Sequence, residues 1–262
     1  RAHVVSLGDL LDRGADSRKV MDLLMRLQGE AVAAGGQMHV LLGNHEAMNI
    51  LGDLRYVAPG EFASYAELET PAERGDAKLP PGYFGHRRLL GPDGRYGRWL
   101  LELPTAVKVN DTVYMHGGPS TVLHGRSLEQ LNDDYRAALR AYLAAESELR
   151  AAGLLHNEDS YARRPDAAAA RVAALPPGDS TTALAALVAR FKAADDDPLL
   201  GPSGPNWYRG AAFCNECAEA DVLLPWLQQV SARRVVIGHT VARHATVVSR
   251  FDGAVIKLDA GM

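Results

Sequence analysis

The strongest constraint on the fold is a pair of short aliphatic runs that each end in a glycine and a polar residue. Residues 4–7 lead into Gly8-Asp9, and residues 39–42 lead into Gly43-Asn44. Between them, residues 17–34 carry apolar side chains at helical spacing. A strand, a helix and a strand of this length predict parallel pairing with a right-handed crossover. We therefore expect both runs to be buried strands that emerge into loops at the same edge of a sheet.

The rest of the chain alternates between clearly patterned and irregular segments. Residues 53–100 and most of residues 153–205 are rich in proline and glycine and are predicted to be irregular. The pair Asp252-Gly253 predicts a hairpin turn between strands at 245–250 and 254–259. Further strands are predicted at 106–109, 112–116 and 234–237, and helices at 127–152, 181–193 and 218–230.

Composition and charge exclude some classes of protein. The net charge of −4 gives no basic footprint for nucleic acid. A membrane span needs a run of about 18 apolar residues, and we find none, so we expect no membrane partner. No signal peptide is visible in the sequence, and its first residue is Arg rather than Met, so we expect a truncated N-terminus. The cytoplasm and the periplasm both stay open as compartments.

Two smaller motifs have both a chemical and a structural interpretation. Cys214 and Cys217 are a redox pair or a disulfide in one interpretation, and small residues at a helix start in the other, which we favour. Two cysteines are too few for a four-cysteine zinc site. Asp195-Asp196-Asp197 is interpreted as the solvated end of a helix rather than a metal site.

Four residues with metal-binding side chains share one position, the carboxyl end of a predicted strand. Strand 112–116 ends in a histidine, and strand 234–237 is followed closely by another. Oxygen and imidazole ligands together suit Mn²⁺, iron or Zn²⁺ better than Ca²⁺. The pattern predicts a metal site formed by Asp9, Asn44, His116 and His239.

These motifs resemble those of the calcineurin-like metallophosphoesterases of the phosphoprotein phosphatase type. Within them, the set is most similar to the bacterial Shewanella-like protein phosphatases. The residues that carry the resemblance are Gly8–Gly14, Gly43–Glu46, His116–Gly118, Trp207–Gly210, Gly238–Thr240 and Asp259–Gly261.

The resemblance implies a four-layer α/β/β/α sandwich with mixed sheets. Residues 1–262 would then form a single domain that lacks its first strand. Residues 120–205 would be a largely helical insertion within it.

The resemblance also implies the chemistry: a bridging hydroxide held by two divalent metal ions attacks a phosphomonoester directly. Manganese is expected ahead of iron or zinc. Asp9 would bridge both metals, and Asn44, His116 and His239 would complete the second. The expected partner is a phosphoprotein carrying phosphotyrosine, phosphoserine or phosphothreonine. His45 would protonate the leaving group, Asp12 would orient His45, and Arg13 and Arg209 would clamp the phosphate.

The chain departs from the family pattern in two places. The motif Gly-Asp-x-His, which supplies most ligands of the first metal, does not occur. Val241 stands where many relatives have a second histidine, and His244 comes too late to replace it. Two alternatives therefore stay open: a dinucleoside tetraphosphate hydrolase, which shares most of these motifs, and a pseudo-phosphatase that binds phosphoprotein without turnover.

Overall fold

The N-terminal strand–helix–strand unit has the topology that the sequence predicts. The structure is a computed structural model that describes residues 2–242 and 246–261. Strand β1 (His3–Ser6) pairs in parallel with β2 (Gln37–Val40), and helix α1 (Ser17–Ala33) connects them. Ser6 is in register with Val40, so the two strands end side by side and their following loops meet. The prediction that both strands are buried was wrong for β1, whose His3 and Val4 are exposed, because β1 is an edge strand of this two-stranded sheet.

The second sheet has five strands in the order β3-β4-β5-β7-β6. The inner strands β4, β5 and β7 are parallel, whereas the edge strands β3 and β6 are antiparallel to their neighbours, so this sheet is mixed. These pairings confirm the predicted α/β class. The strands are β3 (Ala106–Val109), β4 (Thr112–Met115), β5 (Arg234–Ile237), β6 (Val248–Arg250) and β7 (Val255–Lys257).

The C-terminal hairpin is confirmed between β6 and β7. Its turn is a 3₁₀ segment, Phe251–Gly253, in which Asp252 has a φ of 54°. Residue 245, which opens the predicted strand 245–250, lies outside the described residues, as does His244.

The prediction of an irregular segment at 53–100 was wrong, because this segment contains four helices. Pro59 and Pro71 lie in the first turn of two of them, where proline needs no amide hydrogen and has a helical φ. Interpreting every proline as a helix breaker missed this. The helices are α3 (Pro59–Ala63), α4 (Pro71–Arg74), α5 (Tyr83–Leu90) and α6 (Arg95–Glu102).

A further helix, α2 (Asn44–Leu51), begins directly after β2, where the sequence predicted a loop. All of its residues are buried, and it ends at Gly52, whose φ of 77° closes the helix in the left-handed conformation. Four of its eight residues are polar but buried, so they do not mark a solvent-facing side from which the helix could be predicted.

Along the chain, three longer helices follow β4 and precede β5: α7 (Leu128–Ala151), α8 (Arg164–Ala173) and α9 (Asp179–Asp195). Helices α7 and α9 agree with the predicted helices, whereas α8 lies in a stretch predicted to be irregular. Its proline, Pro165, again lies in the first helical turn.

Helix α10 (Gly210–Phe213) and helix α11 (Glu216–Gln229) precede β5. Cys217 lies in the first turn of α11 and Cys214 just before it; both are free and exposed. Among the described helices, none combines the length and apolarity that a membrane crossing requires.

Candidate metal centre

The loops that follow β1 and β2 touch at two glycines. A Cβ atom on Gly8, whose φ is +93°, would lie 2.5 Å from the backbone nitrogen of Gly43. A Cβ atom on Gly43 would lie 2.6 Å from the backbone nitrogen of Asp9. Both distances are closer than side chains tolerate, so only glycine fits at either position. The contact brings Asp9 beside Asn44.

The side chain of Glu46 holds together the loop after β1 and the loop after β2. Its carboxylate accepts backbone hydrogen bonds from Asp9 and Gly43 at 2.8 Å. It also accepts hydrogen bonds from the amides of Leu10 and Leu11 at 2.7 and 3.2 Å. Burial raises the pKa of Glu46, while the hydrogen bonds from Leu10 and Asp9 act in the opposite direction. The side chain fixes the backbone that presents Asp9 and Asn44.

Asp9, His116 and His239 bring three potential ligand atoms within 4.8 Å of one another. His116 follows β4 directly, and His239 lies two residues after β5 with a φ of 58°. The Oδ1 atom of Asn44 lies 2.8 Å from Nε2 of His116, which is also 3.1 Å from Oδ1 of Asp9. The structure therefore gathers all four of the predicted ligands.

The lone pairs of these side chains are arranged to bind a cation. Nδ1 of His116 lies 2.6 Å from the carbonyl oxygen of Leu7, so the proton on this nitrogen donates to that oxygen. In the neutral ring, Nε2 then points a lone pair toward the oxygens of Asp9 and Asn44. Nε2 of His239 is buried and has no hydrogen-bond partner. Converging acceptors and an unpartnered buried nitrogen are what a divalent ion would satisfy.

The pKa shifts favour metal binding at Asp9 and His239 but not at His116. Burial acts to lower the pKa of His116, but the hydrogen bond and charge of Asp9 outweigh it and raise the pKa, so a cation would have to displace the proton from Nε2. Burial acts to raise the pKa of Asp9, but the hydrogen bond and charge of His116 outweigh it and lower the pKa to about 2. Burial, together with the neighbouring His116 and Arg209, lowers the pKa of His239 to about 3. Asp9 is therefore ionised and His239 neutral at physiological pH, the states in which they bind metal.

His45 and Asp12 form a buried pair beside this cluster. Nδ1 of His45 lies 2.6 Å from Oδ2 of Asp12. Asn49, one turn further along α2, donates to Oδ1 of Asp12 at 3.0 Å and to the carbonyl oxygen of His45 at 2.9 Å. Asp12 thus has both oxygens bonded, and His45 can offer its Nε2 to a substrate.

The two arginines expected to bind phosphate are both exposed. The guanidinium of Arg209 donates to the carbonyl oxygen of His239 at 2.8 Å and to the hydroxyl of Thr240 at 3.0 Å. Arg13 has a φ of 60°, and its guanidinium lies over the ring of Tyr56. Arg209 therefore contacts the loop that carries His239, and Arg13 contacts the segment that follows α2.

A cavity of about 500 Å³ adjoins the cluster at Asn44 and Arg209. Its walls are mainly apolar and come from α2, from α7 and from the segments before α8 and α10. The residues that form most of the apolar lining are Met48, Leu51, Tyr135, Tyr161, Leu200 and Trp207.

The sequence predicted the four candidate ligands but not some of the residues that contact the neighbouring His45, Asp12 and Arg13. It expected Asn44 and His45 on a loop, whereas they form the first turn of α2. It did not single out Asn49 or Tyr56. Asn49 lies four residues after His45, so predicting the helix would have placed it beside the His45–Asp12 pair. The contact with Tyr56 depends on the path of the chain after α2 and had no sequence signal.

The family model of the calcineurin-like phosphoesterases matches residues 1–243. An uncharacterized protein of Schizosaccharomyces pombe is 30% identical over the whole chain, which covers 62% of that protein. Shewanella-like protein phosphatase 2 of Arabidopsis thaliana is 32% identical over 53% of this chain and 43% of its own length.

The chain is also similar to a solved phosphatase structure. The cold-active protein-tyrosine phosphatase of a psychrophilic Shewanella has a TM-score of 0.62 and 27% identity, covering 99% of this chain and 60% of that one. The chain thus spans less than two thirds of the length of these relatives. Because the family model covers nearly all of the sequence, the chain belongs to the calcineurin-like phosphoesterases.

Proposed function

We propose that the protein is a metal-dependent phosphatase that hydrolyses phosphomonoesters on phosphoproteins. The observation that carries the proposal is the buried His45–Asp12 pair, 2.6 Å apart, next to the cluster of Asp9, His116 and His239. A proton donor beside a cation site is the combination that phosphoester cleavage needs.

Each residue has a chemical role in this proposal. Asp9, Asn44, His116 and His239 would hold divalent metal, manganese first among the candidates. Bound there, the metal would polarise the phosphate and lower the pKa of a coordinated water. His45 donates a proton to the departing oxygen from Nε2, and Asp12 holds the ring in the orientation that this requires.

The arginines supply phosphate binding in the proposal. Arg209 already donates to the carbonyl oxygen of His239, so its guanidinium lies beside the cluster. Arg13 lies on the loop that also carries Asp12. A guanidinium keeps its charge at all relevant pH values and matches two phosphate oxygens at once. We assign Arg13 and Arg209 to the two sides of the bound phosphate.

Two observations support a polypeptide substrate. The apolar cavity that starts at Asn44 and Arg209 offers room for side chains adjacent to the phosphorylated residue. Relatives carry the names protein phosphatase and protein-tyrosine phosphatase. We therefore propose phosphotyrosine, phosphoserine or phosphothreonine in a protein as the substrate class.

The test is a substrate panel with the purified protein. Phosphotyrosine and phosphoserine peptides, 4-nitrophenyl phosphate and diadenosine tetraphosphate are incubated with Mn²⁺, and then with a chelator. We expect turnover of the phosphopeptides that stops on chelation and returns with Mn²⁺. Turnover of the dinucleotide above all the phosphopeptides would overturn the proposal in favour of a dinucleotide hydrolase.

A second candidate, phosphoprotein binding without turnover, has one observation in its favour. Within the described residues, one cluster of three metal-binding acidic or histidine side chains occurs, enough for a single cation. Phosphopeptide binding that depends on Mn²⁺, with no phosphate release, would support this candidate instead.

A further inference from the structure

Tyr56 is an aromatic side chain at the candidate site to which the proposed mechanism gives no role. It follows α2 in the chain, and 42% of its surface is exposed although it borders a largely buried site. Its ring lies 5.2 Å from the ring of His45, centroid to centroid, at an angle of 56°. A large aromatic group is therefore open to solvent right beside the proposed proton donor.

The loop that carries Asp12 and Arg13 fixes the position of Tyr56. The backbone amide of Arg13 donates to the carbonyl oxygen of Tyr56 at 3.1 Å. The guanidinium carbon of Arg13 lies 5.4 Å from the ring centroid, and that of Arg55 lies 5.9 Å away. The ring thus lies within 5.4 Å of both the proposed proton donor and one of the arginines proposed to bind phosphate.

This position has a consequence for the substrate. His45 protonates the oxygen that leaves, so the body of the leaving group must lie next to His45. A neighbour of His45 that is exposed and aromatic then contacts that body. Aromatic rings favour other rings in tilted or offset contact, whereas a short alkyl chain gains only its small apolar area.

We propose that Tyr56 is a specificity-determining residue that contacts the ring of an aryl phosphate and favours phosphotyrosine over phosphoserine. The inference rests on the proposed function, because it needs a phosphate held between Arg13 and the metal cluster. It adds the substrate class that the same site prefers.

The contacts of Tyr56 also suggest a simpler role, which the experiment must separate. The ring could serve only to pack His45 and Arg13. Loss of that packing would affect the proton donor and the phosphate clamp, and would therefore lower activity on every phosphomonoester alike. A ratio of two substrates cancels such a general loss, whereas a role in specificity changes the ratio.

The variants are Tyr56→Leu, which removes the ring, and Tyr56→Phe, which keeps it and serves as the matched control. The kcat/KM is measured on phosphotyrosine and phosphoserine peptides of otherwise identical sequence. For Tyr56→Leu we expect the preference for phosphotyrosine to fall about 3- to 10-fold. For Tyr56→Phe we expect it to stay within about twofold, because the ring contact is kept. Equal losses on both peptides, or an unchanged ratio, would overturn the inference.

A binding measurement keeps the test independent of turnover. Peptides with an unreactive benzylic or alkyl phosphonate in place of the phosphoresidue are titrated in the presence of Mn²⁺. The same shift in relative affinity is expected for Tyr56→Leu. If the wild-type protein releases no phosphate but binds the benzylic phosphonate more tightly, and loses this preference in Tyr56→Leu, the proposed catalysis fails while the role of Tyr56 stands. Equal affinity of the wild-type protein for both phosphonates would refute that role.

Discussion

Nδ1 of His45 lies 2.6 Å from a carboxylate oxygen of Asp12, and the two side chains are only 3% and 1% exposed. A contact this short and this buried fixes the orientation of the imidazole ring. It also determines which nitrogen is free to face a substrate, because Nδ1 is already occupied. The pair therefore has the geometry of an oriented acid.

Replacing His45 by Asn removes the proposed acid. We expect activity to fall about 100- to 10,000-fold on esters with a poor leaving group, such as phosphoserine peptides. On 4-nitrophenyl phosphate, whose leaving group needs little protonation, the loss should be about tenfold or less. A plot of log kcat against leaving-group pKa for wild type and His45→Asn measures the difference. Parallel lines for the two proteins would contradict the assignment.

Replacing Asp9 by Asn tests the cation site. The amide keeps the shape of the side chain but loses the negative charge that the cluster offers, so we expect Mn²⁺ binding to weaken severely and turnover to fall to background. Calorimetric titration with Mn²⁺ measures the first effect and phosphate release the second. The matched control is Asp16→Asn, whose carboxylate is 69% exposed and pairs with Lys19. Retained Mn²⁺ affinity in the Asp9 variant would remove this residue from the site.

Glu46→Gln tests the hydrogen bonds that hold the Asp9 and Asn44 loops together. The carboxylate accepts four backbone hydrogen bonds, whereas an amide has one oxygen and would direct its NH₂ group at backbone donors. We expect the free energy of unfolding to drop by about 2–4 kcal/mol, measured by urea denaturation. A loss below about 1 kcal/mol would mean that water or the backbone replaces these bonds.

Replacing Arg164 tests whether α8 stabilises the end of α2, the helix that carries Asn44 and His45. Its guanidinium donates to the carbonyl oxygens of Leu51 and Gly52 at 2.7 and 3.1 Å, which closes the C-terminus of α2. It also lies 3.1 Å from the carboxylate of Glu146. We expect Arg164→Met to lower the free energy of unfolding by about 3 kcal/mol, because it leaves buried acceptors without donors.

The neighbouring Arg163 is exposed and provides the control. Arg163→Met should leave the unfolding transition within about 0.5 kcal/mol of wild type. Similar effects of the two substitutions would show that the helix end does not depend on a buried guanidinium.

The Asp159–Arg171 pair predicts that the stability of the protein depends on pH. Two hydrogen bonds of 2.7 Å from Arg171 lower the pKa of Asp159 to about 2, with burial opposing the shift. Because the folded pKa is depressed, the stabilisation is present above the unfolded value near 3.8 and is lost as the pH falls toward 2. Arg171→Met should therefore destabilise the protein at pH 6 but much less at pH 2. Equal destabilisation at both pH values would assign the effect to packing.

The sequence predicted the four candidate metal ligands because each follows a strand. Asp9 and Asn44 follow the neighbouring strands β1 and β2, and His116 and His239 follow the neighbouring strands β4 and β5, so each pair meets at one sheet edge. The packing of the two sheets, which brings the two pairs together, has no signal in the sequence. The positions of Arg13 and Arg209 were predicted through family resemblance, and the structure adds that each is bound to a neighbouring loop.

What sequence could not predict depends on burial and on long-range contacts. Helix α2 was missed because its polar residues are buried at the candidate site, so they do not form the solvent-facing side that identifies an amphipathic helix. Three of the four backbone donors to Glu46 lie 35 to 37 residues before it, and the two carbonyl groups that Arg164 bonds lie more than 100 residues before it. Local sequence patterns do not reveal such pairs, although these pairs hold the residues of the candidate site in place.

The contact between Gly8 and Gly43 limits how the two loops can be exchanged. A Cβ atom on either glycine would overlap the backbone of the other loop, so neither loop can gain a side chain at this position by itself. Grafting the Asp9 loop of a relative onto this chain should therefore succeed only when the Asn44 loop is transplanted with it. In protein engineering, residues 8–14 and 43–46 therefore have to be exchanged together as a single unit.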